Sequence, residues 1–364
     1  MEQSPAIAPE ARQADDLQFD EPIRDDYSRA FHRLRSRLVD GSGRRYIEFV
    51  GSLQPKYGRT IRDIAIGYAM LAITAAGCTW LLRIQVPQVA VIAVGAVCFG
   101  YWIAYLQLFI HEGAHYNLAP DRQRSDRRTN LFISWLFGTS VAKYRKVHFQ
   151  HHRALGTVDD SEFTYFFPLN LVFLAKTLLG IRVLEVSASR RKLTSGRKEK
   201  TPPASTPAAN ASDAPSLPEE RPISPSLRYL VVGAFGHLVV IALLSLTGSW
   251  PVALSWMLGV GVTFPFFGAL RQLLEHRDDN ATADADYLTT NHGAFTRMFG
   301  SNPFAATFGG AGFNRHLLHH WEPQVSYTNL PELEGFLTDT PMKPIISARR
   351  SSYAGVFLRL LSLY

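Results

Sequence analysis

The sequence predicts an all-α integral membrane protein, with four transmembrane helices arranged as two hairpins and a cytoplasmic helical cap. Three observations on the 364-residue chain lead there: apolar residues gather into four long runs, charge gathers between the runs, and histidines cluster at helical spacings at or beyond the run ends. A mean hydropathy near zero therefore averages a lipid-facing part and a water-facing part, which is not the pattern of a purely soluble globule. Only two cysteines occur, Cys78 and Cys98, both inside apolar runs, so neither a disulfide framework nor a thiolate metal site organises the chain. Histidine is left to do any metal chemistry.

Residues 1–30 are acidic and poor in bulky apolar side chains, the composition of a solvated, disordered tail. They carry neither the basic flank and apolar stretch of a secretory signal nor the Arg-rich, acid-poor pattern of a transit peptide, so the tail is expected to stay where it is made. Residues 31–60 form an amphipathic, cytoplasmic pre-membrane segment. Crossing a hydrocarbon core of about 30 Å takes about 20 apolar residues, and residues 61–84, 89–110, 230–246 and 252–270 qualify. Turns at Pro87 and at Gly248–Pro251 fold them into two hairpins, so both chain ends and the long middle stretch share one compartment.

Lys and Arg near the span ends identify that compartment. Arg122, Arg124, Arg127, Arg128, Lys143, Arg145, Lys146 and Arg153 all lie in the connected loop, whereas the turns at 85–88 and 247–251 hold none. Termini and loops are thus expected on the cytoplasmic side of a multi-pass protein. The basic residues lack the interleaved aromatics of a nucleic-acid module, so no nucleic-acid partner is expected. Two shorter apolar stretches, 131–142 and 166–181, read as interfacial helices. Residues 190–225 turn to Pro, Ala and Ser, a flexible cytoplasmic insert within a membrane domain of residues 61–335. A C-terminal cytoplasmic segment, 336–364, follows.

Eight of the twelve histidines fall in three clusters: His111 and His115 in HEGAH, His148, His151 and His152 in HFQHH, and His316, His319 and His320 in HLLHH. Residues three or four apart share a helix face, so each cluster can present two or three imidazoles to one cavity. His276 follows the fourth apolar run by a few residues. So many nitrogen donors exceed the needs of one ion and imply a histidine-rich di-metal site in the cap, while imidazole alone leaves zinc, copper, iron and nickel open.

The stretches HEGAHYN, HFQHHRALG and NRHLLHHWEPQVSYTNLPEL resemble, in order and spacing, the three histidine boxes of the membrane fatty acid desaturase family. The resemblance covers roughly residues 60–335. It implies a di-iron centre that activates dioxygen and takes hydrogen from an unactivated C–H bond of an acyl chain. Position by position, it makes His111, His115, His148, His151, His152, His316, His319 and His320 iron ligands, with His276 in RQLLEHR as a ninth. Animal acyl-CoA desaturases carry Asn four residues before that last histidine; here Gln272 stands there, where an amide can still hold a metal-bound water. Asn314 matches a frequent family Asn, positioned either to hydrogen-bond a ligand or substrate or to cap the helix bearing His316. Glu112, Asp159, Asp160, Glu275 and Glu322 are candidates to accept the second ring N–H of ligand imidazoles.

The resemblance further implies a lipid or acyl-thioester substrate entering an apolar tunnel from the membrane, with O2 as co-substrate. No haem domain or ferredoxin-type cysteine set is present in the sequence, so electrons are expected from a separate carrier of ferredoxin, rubredoxin or cytochrome b5 type with its reductase. A related hydroxylase or ketolase acting on a carotenoid, alkane or acyl chain uses similar boxes. A membrane zinc protease with Glu112 as general base would use HEGAH alone and leave six boxed histidines idle. A metal transporter would place its ligands inside the spans rather than past their ends.

Overall fold

The computed structural model describes residues 26–181, 185, 227–247, 250–279, 281 and 287–363. Most of the acidic tail, residues 1–25, and the whole Pro/Ala/Ser-rich stretch at 190–225 lie outside the described residues. Four helices are long and apolar enough to cross a membrane: α3 (Tyr57–Arg83), α4 (Gln88–Ala114), α8 (Leu227–Leu246) and α9 (Trp250–His276). Ahead of them come α1 (Ser28–Leu34) and α2 (Tyr46–Ser52). Between the hairpins lie α5 (Arg122–Phe132), α6 (Val141–Ala154) and α7 (Leu171–Leu178), and after them α10 (Pro303–Phe308), α11 (His316–Trp321), α12 (Leu330–Thr338), α13 (Lys343–Ala348) and α14 (Tyr353–Ser362). Two residue-pair strands, β1 (Met298–Phe299) and β2 (Arg350–Ser351), pair in parallel.

The spans outrun the apolar runs at the end that carries chemistry. Where residues 89–110 are apolar, α4 continues through His111 to Ala114, and α9 carries on past residue 270 to end on His276. Backbone hydrogen bonding propagates cheaply once a helix exists, so polar residues at its end simply extend it. His276 is therefore a buried helix-terminal residue rather than part of a segment beyond the span.

Helix α4 is apolar on every side and is the spine of the bundle, packing against α3, α6 and α9. Only Gly233 of α8 is fully buried; one face of that helix, with Val240, Ile241 and Leu244, packs against the core, and the rest is exposed. The crossing of α4 and α9 is close because glycines sit there. A Cβ on Gly100 would come 2.0 Å from Thr263 Oγ1 and 2.6 Å from the backbone nitrogen of Phe264, and one on Gly259 would come 2.7 Å from Phe99 Cβ. Residues Gly259–Thr263 form a π-turn within α9, and Thr263 Oγ1 donates to the Ala96 carbonyl at 2.5 Å. A π-turn absorbs an extra residue and re-aims the helix face beyond it, here the face that ends in His276.

Two expectations change in detail. The stretch 131–142 is not one interfacial helix: α5 ends in it, a 3-10 turn covers Ser134–Phe137, Gly138 closes the turn at φ 57°, and Ser140 starts α6 by accepting from the Lys143 amide at 3.2 Å. A left-handed glycine and an N-cap serine so close together stop a helix from running through. In 166–181 the helix is the shorter α7, capped by Asn170 through the Phe173 amide at 2.8 Å, with Leu171, Val172, Leu178 and Leu179 exposed.

Chain ends complete the cap. The expected tail boundary at residue 30 falls inside α1, because Phe31 is fully buried and stacks on Trp321 at 4.7 Å between ring centroids. Trp321 Nε1 donates to the Asp26 carbonyl at 2.6 Å. Likewise the boundary at 335 falls inside α12, whose Phe336 and Leu337 join Met342, Ile345 and Ile346 in the main core. Gly100→Ala should lower thermal stability in detergent by about 1–3 kcal/mol through overpacking at the α4–α9 crossing. Gly77→Ala, where a Cβ meets nothing within 4 Å, should leave stability unchanged or raise it.

Candidate metal centre

Four elements bring their histidines to one level. The last turn of α4 supplies His111, with His115 just past its end, and one face of α6 supplies His148, His151 and His152. His276 comes from the end of α9 and His316, His319 and His320 from α11. They fall into two groups whose donor atoms all lie within 4.8 Å of one another: His111, His115, His148, His152 and His319 in the first, and His151, His276, His316 and His320 in the second. The nine candidate ligands are thus brought together, and the three remaining histidines, His32, His237 and His292, are in neither group.

Ring nitrogens face ring nitrogens. In the first group His148 Nε2 stands 2.9 Å from the Nε2 atoms of His115 and His152, and His152 Nε2 stands 3.1 Å from that of His319. In the second, His316 Nε2 is 2.9 Å from His276 Nε2 and 3.2 Å from His320 Nε2. Two nitrogens bound at about 2.1 Å to one ion at right angles stand about 3.0 Å apart, so these spacings suit shared coordination. The Nε2 atoms of His111 and His151 are buried without any hydrogen-bond partner. Orphaned imidazole nitrogens aimed at their neighbours fit a cation better than any protein donor.

Electrostatics act in the same direction. Burial, then the other rings of the cluster, hold His152, His316, His319 and His320 well below the ordinary imidazole range, and burial with neighbouring His148 and Arg145 does so for His115. These rings stay neutral, the form that binds a metal. His151 differs: burial opposes its charge, but the carboxylates of Asp160 and Glu162 outweigh it and raise the ring to about 9.

Behind the donors, carboxylates and a carbonyl orient the rings. His151 Nδ1 lies 2.9 Å from both oxygens of Asp160, which also accepts from Tyr165 Oη at 2.7 Å and from the Glu162 amide at 2.8 Å. His148 Nδ1 lies 3.4 Å from Glu162, and His276 Nδ1 lies 3.0 Å from the Phe295 carbonyl. Such partners fix which nitrogen faces an ion. Glu162 was not singled out from the sequence, although its position two residues after Asp160 in the loop behind the second box was a usable signal. Gln272 Nε2 donates to Glu162 Oε2 at 2.7 Å, so its amide braces this support rather than facing an ion directly.

The remaining acids lie elsewhere. Glu112 accepts from the Tyr327 amide at 3.2 Å and stays 4.0 Å from His111 Nδ1, since successive helix residues diverge by about 100°. Glu275 accepts from Tyr353 Oη at 3.3 Å, Glu322 pairs with Arg35, and Asp159 is exposed. Asn314 does not cap α11: its Nδ2 donates to the Gly300 carbonyl at 3.3 Å, and Arg315 holds the N-cap position without a side-chain bond.

No curated protein matches the chain. The model of the family described as fatty acid desaturase matches residues 86–341, which takes in all three histidine clusters, His276 and three of the four candidate spans. Well over half of the chain is matched, and the protein belongs to the fatty acid desaturase family.

Proposed function

We propose that this protein is an O2-dependent acyl-lipid desaturase, whose nine clustered histidines hold two iron ions and which introduces a C=C bond into an acyl chain. The observation carrying the reading is the pair of histidine groups at one end of four apolar helices in a member of this family. Bound there, iron supplies dioxygen activation and hydrogen abstraction from an unactivated C–H bond. The protein's part is to hold and orient. His111, His115, His148, His152 and His319 serve one ion and His151, His276, His316 and His320 the other, while Asp160, Glu162 and the Phe295 carbonyl fix the tautomers of His151, His148 and His276. Glu112 steadies the Ser326–Tyr327 turn beside the centre, and Asn314 ties the start of α11 to Gly300.

Substrate in this proposal is a lipid or acyl thioester whose tail reaches the centre from the bilayer, saving about 0.8 kcal/mol for each methylene kept from water. Histidine clusters and termini face the cytoplasm, in keeping with the exposed Arg122, Arg124, Arg127 and Lys143 on α5 and α6. A separate ferredoxin, rubredoxin or cytochrome b5 type carrier delivers electrons, and those basic helices attract an acidic one.

Lipid profiling after expression in a host lacking the activity tests the reaction: loss of two hydrogens supports desaturation, and gain of one oxygen supports hydroxylation instead. His151→Ala and His319→Ala should each abolish activity and lower bound iron, measured on purified protein, while membrane insertion persists. Asp160→Asn should weaken iron binding about 10- to 100-fold by releasing the His151 tautomer; unchanged affinity would remove Asp160 from this role. Raising salt should slow turnover when carrier is limiting and leave it unchanged when carrier saturates.

A further inference from the structure

Two polar side chains on the membrane side of the histidines lack hydrogen-bond partners among the described residues. Arg271, five residues before His276 on α9, is only 9% exposed, and its Cζ lies 4.6 Å from the centroid of the Phe313 ring. Its Nε stands 3.5 Å from Glu275 Oε1 without a hydrogen bond, and among the described residues the guanidinium donates to no acceptor. Gln107, one turn before His111 on α4, has a buried Oε1 with no donor. Opposite it lies Gly268, where a Cβ would come within 3.6 Å of that oxygen.

These groups share one place. Gly268, Arg271 and Glu275 follow one face of α9, as Gln107 and His111 follow one face of α4. Phe313 joins them, its ring centroid 4.5 Å from that of His111 in one histidine group and 4.8 Å from that of His316 in the other. A guanidinium and an amide oxygen, both short of hydrogen bonds, therefore lie beneath the junction of both groups.

Methylenes laid against these groups would strip their water and return no hydrogen bond, a loss that the burial of a few methylenes does not recover. An oxygen function answers both needs. Arg271 requires an acceptor and Gln107 Oε1 a donor, which a hydroxyl supplies together. Glu275 already balances the charge of Arg271, so a carboxylate would bring an unpaired charge into the site. We infer that the substrate carries a hydroxyl within a few bonds of the carbon that is oxidised, held between Arg271 and Gln107. This rests on the oxidation reading above and narrows it to hydroxyl-bearing chains.

Full-length, iron-loaded protein in lipid nanodiscs, titrated with 1-dodecanol and with tridecane, tests the inference by ligand-induced thermal shift. Wild type should bind the alcohol about tenfold or more tightly than the alkane, the scale of a hydrogen bond to a charged donor. Gln107→Leu should largely erase the preference, as should Arg271→Met combined with Glu275→Gln, which leaves no lone buried charge. Equal wild-type affinities overturn the inference even if a variant misfolds, and so does a preference that survives in both variants. Iron-dependent oxygen uptake in the same samples, supplied with ascorbate and a redox mediator as electron donor, separates the two readings: preference without uptake upholds the hydroxyl site and sinks the oxidation reading, whereas uptake without preference does the reverse.

Discussion

Packing nine imidazoles, all but the half-buried His152 fully buried, with their nitrogens turned toward one another is the constraint the rest of the structure serves. Unsatisfied nitrogens in an apolar interior are costly, so the arrangement persists only if the surrounding helices over-determine it. Rigidity begins at α4. Its contact with α9 at Gly100 and Gly259 is close enough that a single added carbon would collide with backbone, and the π-turn at Gly259–Thr263 directs the last turns of α9 toward the same level. His111 and His276 then arrive from opposite sides of one packed crossing.

The third cluster needs different support. Helix α11 has only six residues, too few to stand by itself in water. It is held by what packs around it: Leu317, Leu318 and Trp321 are fully buried, and Trp321 is clasped by Phe31 and the Asp26 carbonyl. The segment around α1 thereby supports the candidate metal centre without supplying a ligand. The salt bridge between Arg35 and Glu322 adds a further tie across the same junction.

Around the rings, charge is distributed unevenly. The first group has Glu162 behind His148, whereas the second has Asp160 in close contact with His151, itself supported by Tyr165. Stronger carboxylate support makes His151 the more electron-rich donor, so the two histidine groups present unlike fields.

Periodicity and composition made the four spans, the helical cap and the eight boxed histidines readable in the sequence, because each depends on residue type at short spacing along the chain; His276 came from the resemblance, and Asp160 stood only as one of five candidate acids. Helix ends were less readable: polar residues such as His111 and His276 look like loop by composition, yet hydrogen bonding carries the helix through them. Partner choice was not readable at all. Whether Glu112, Glu275, Glu322 or Glu162 backs a histidine depends on the rotation of one helix against another, and the glycine crossing and the π-turn set that rotation. Arg271 and Gln107 show the same division, for a buried polar group is recognised as lacking hydrogen bonds only once every neighbouring side chain has been placed.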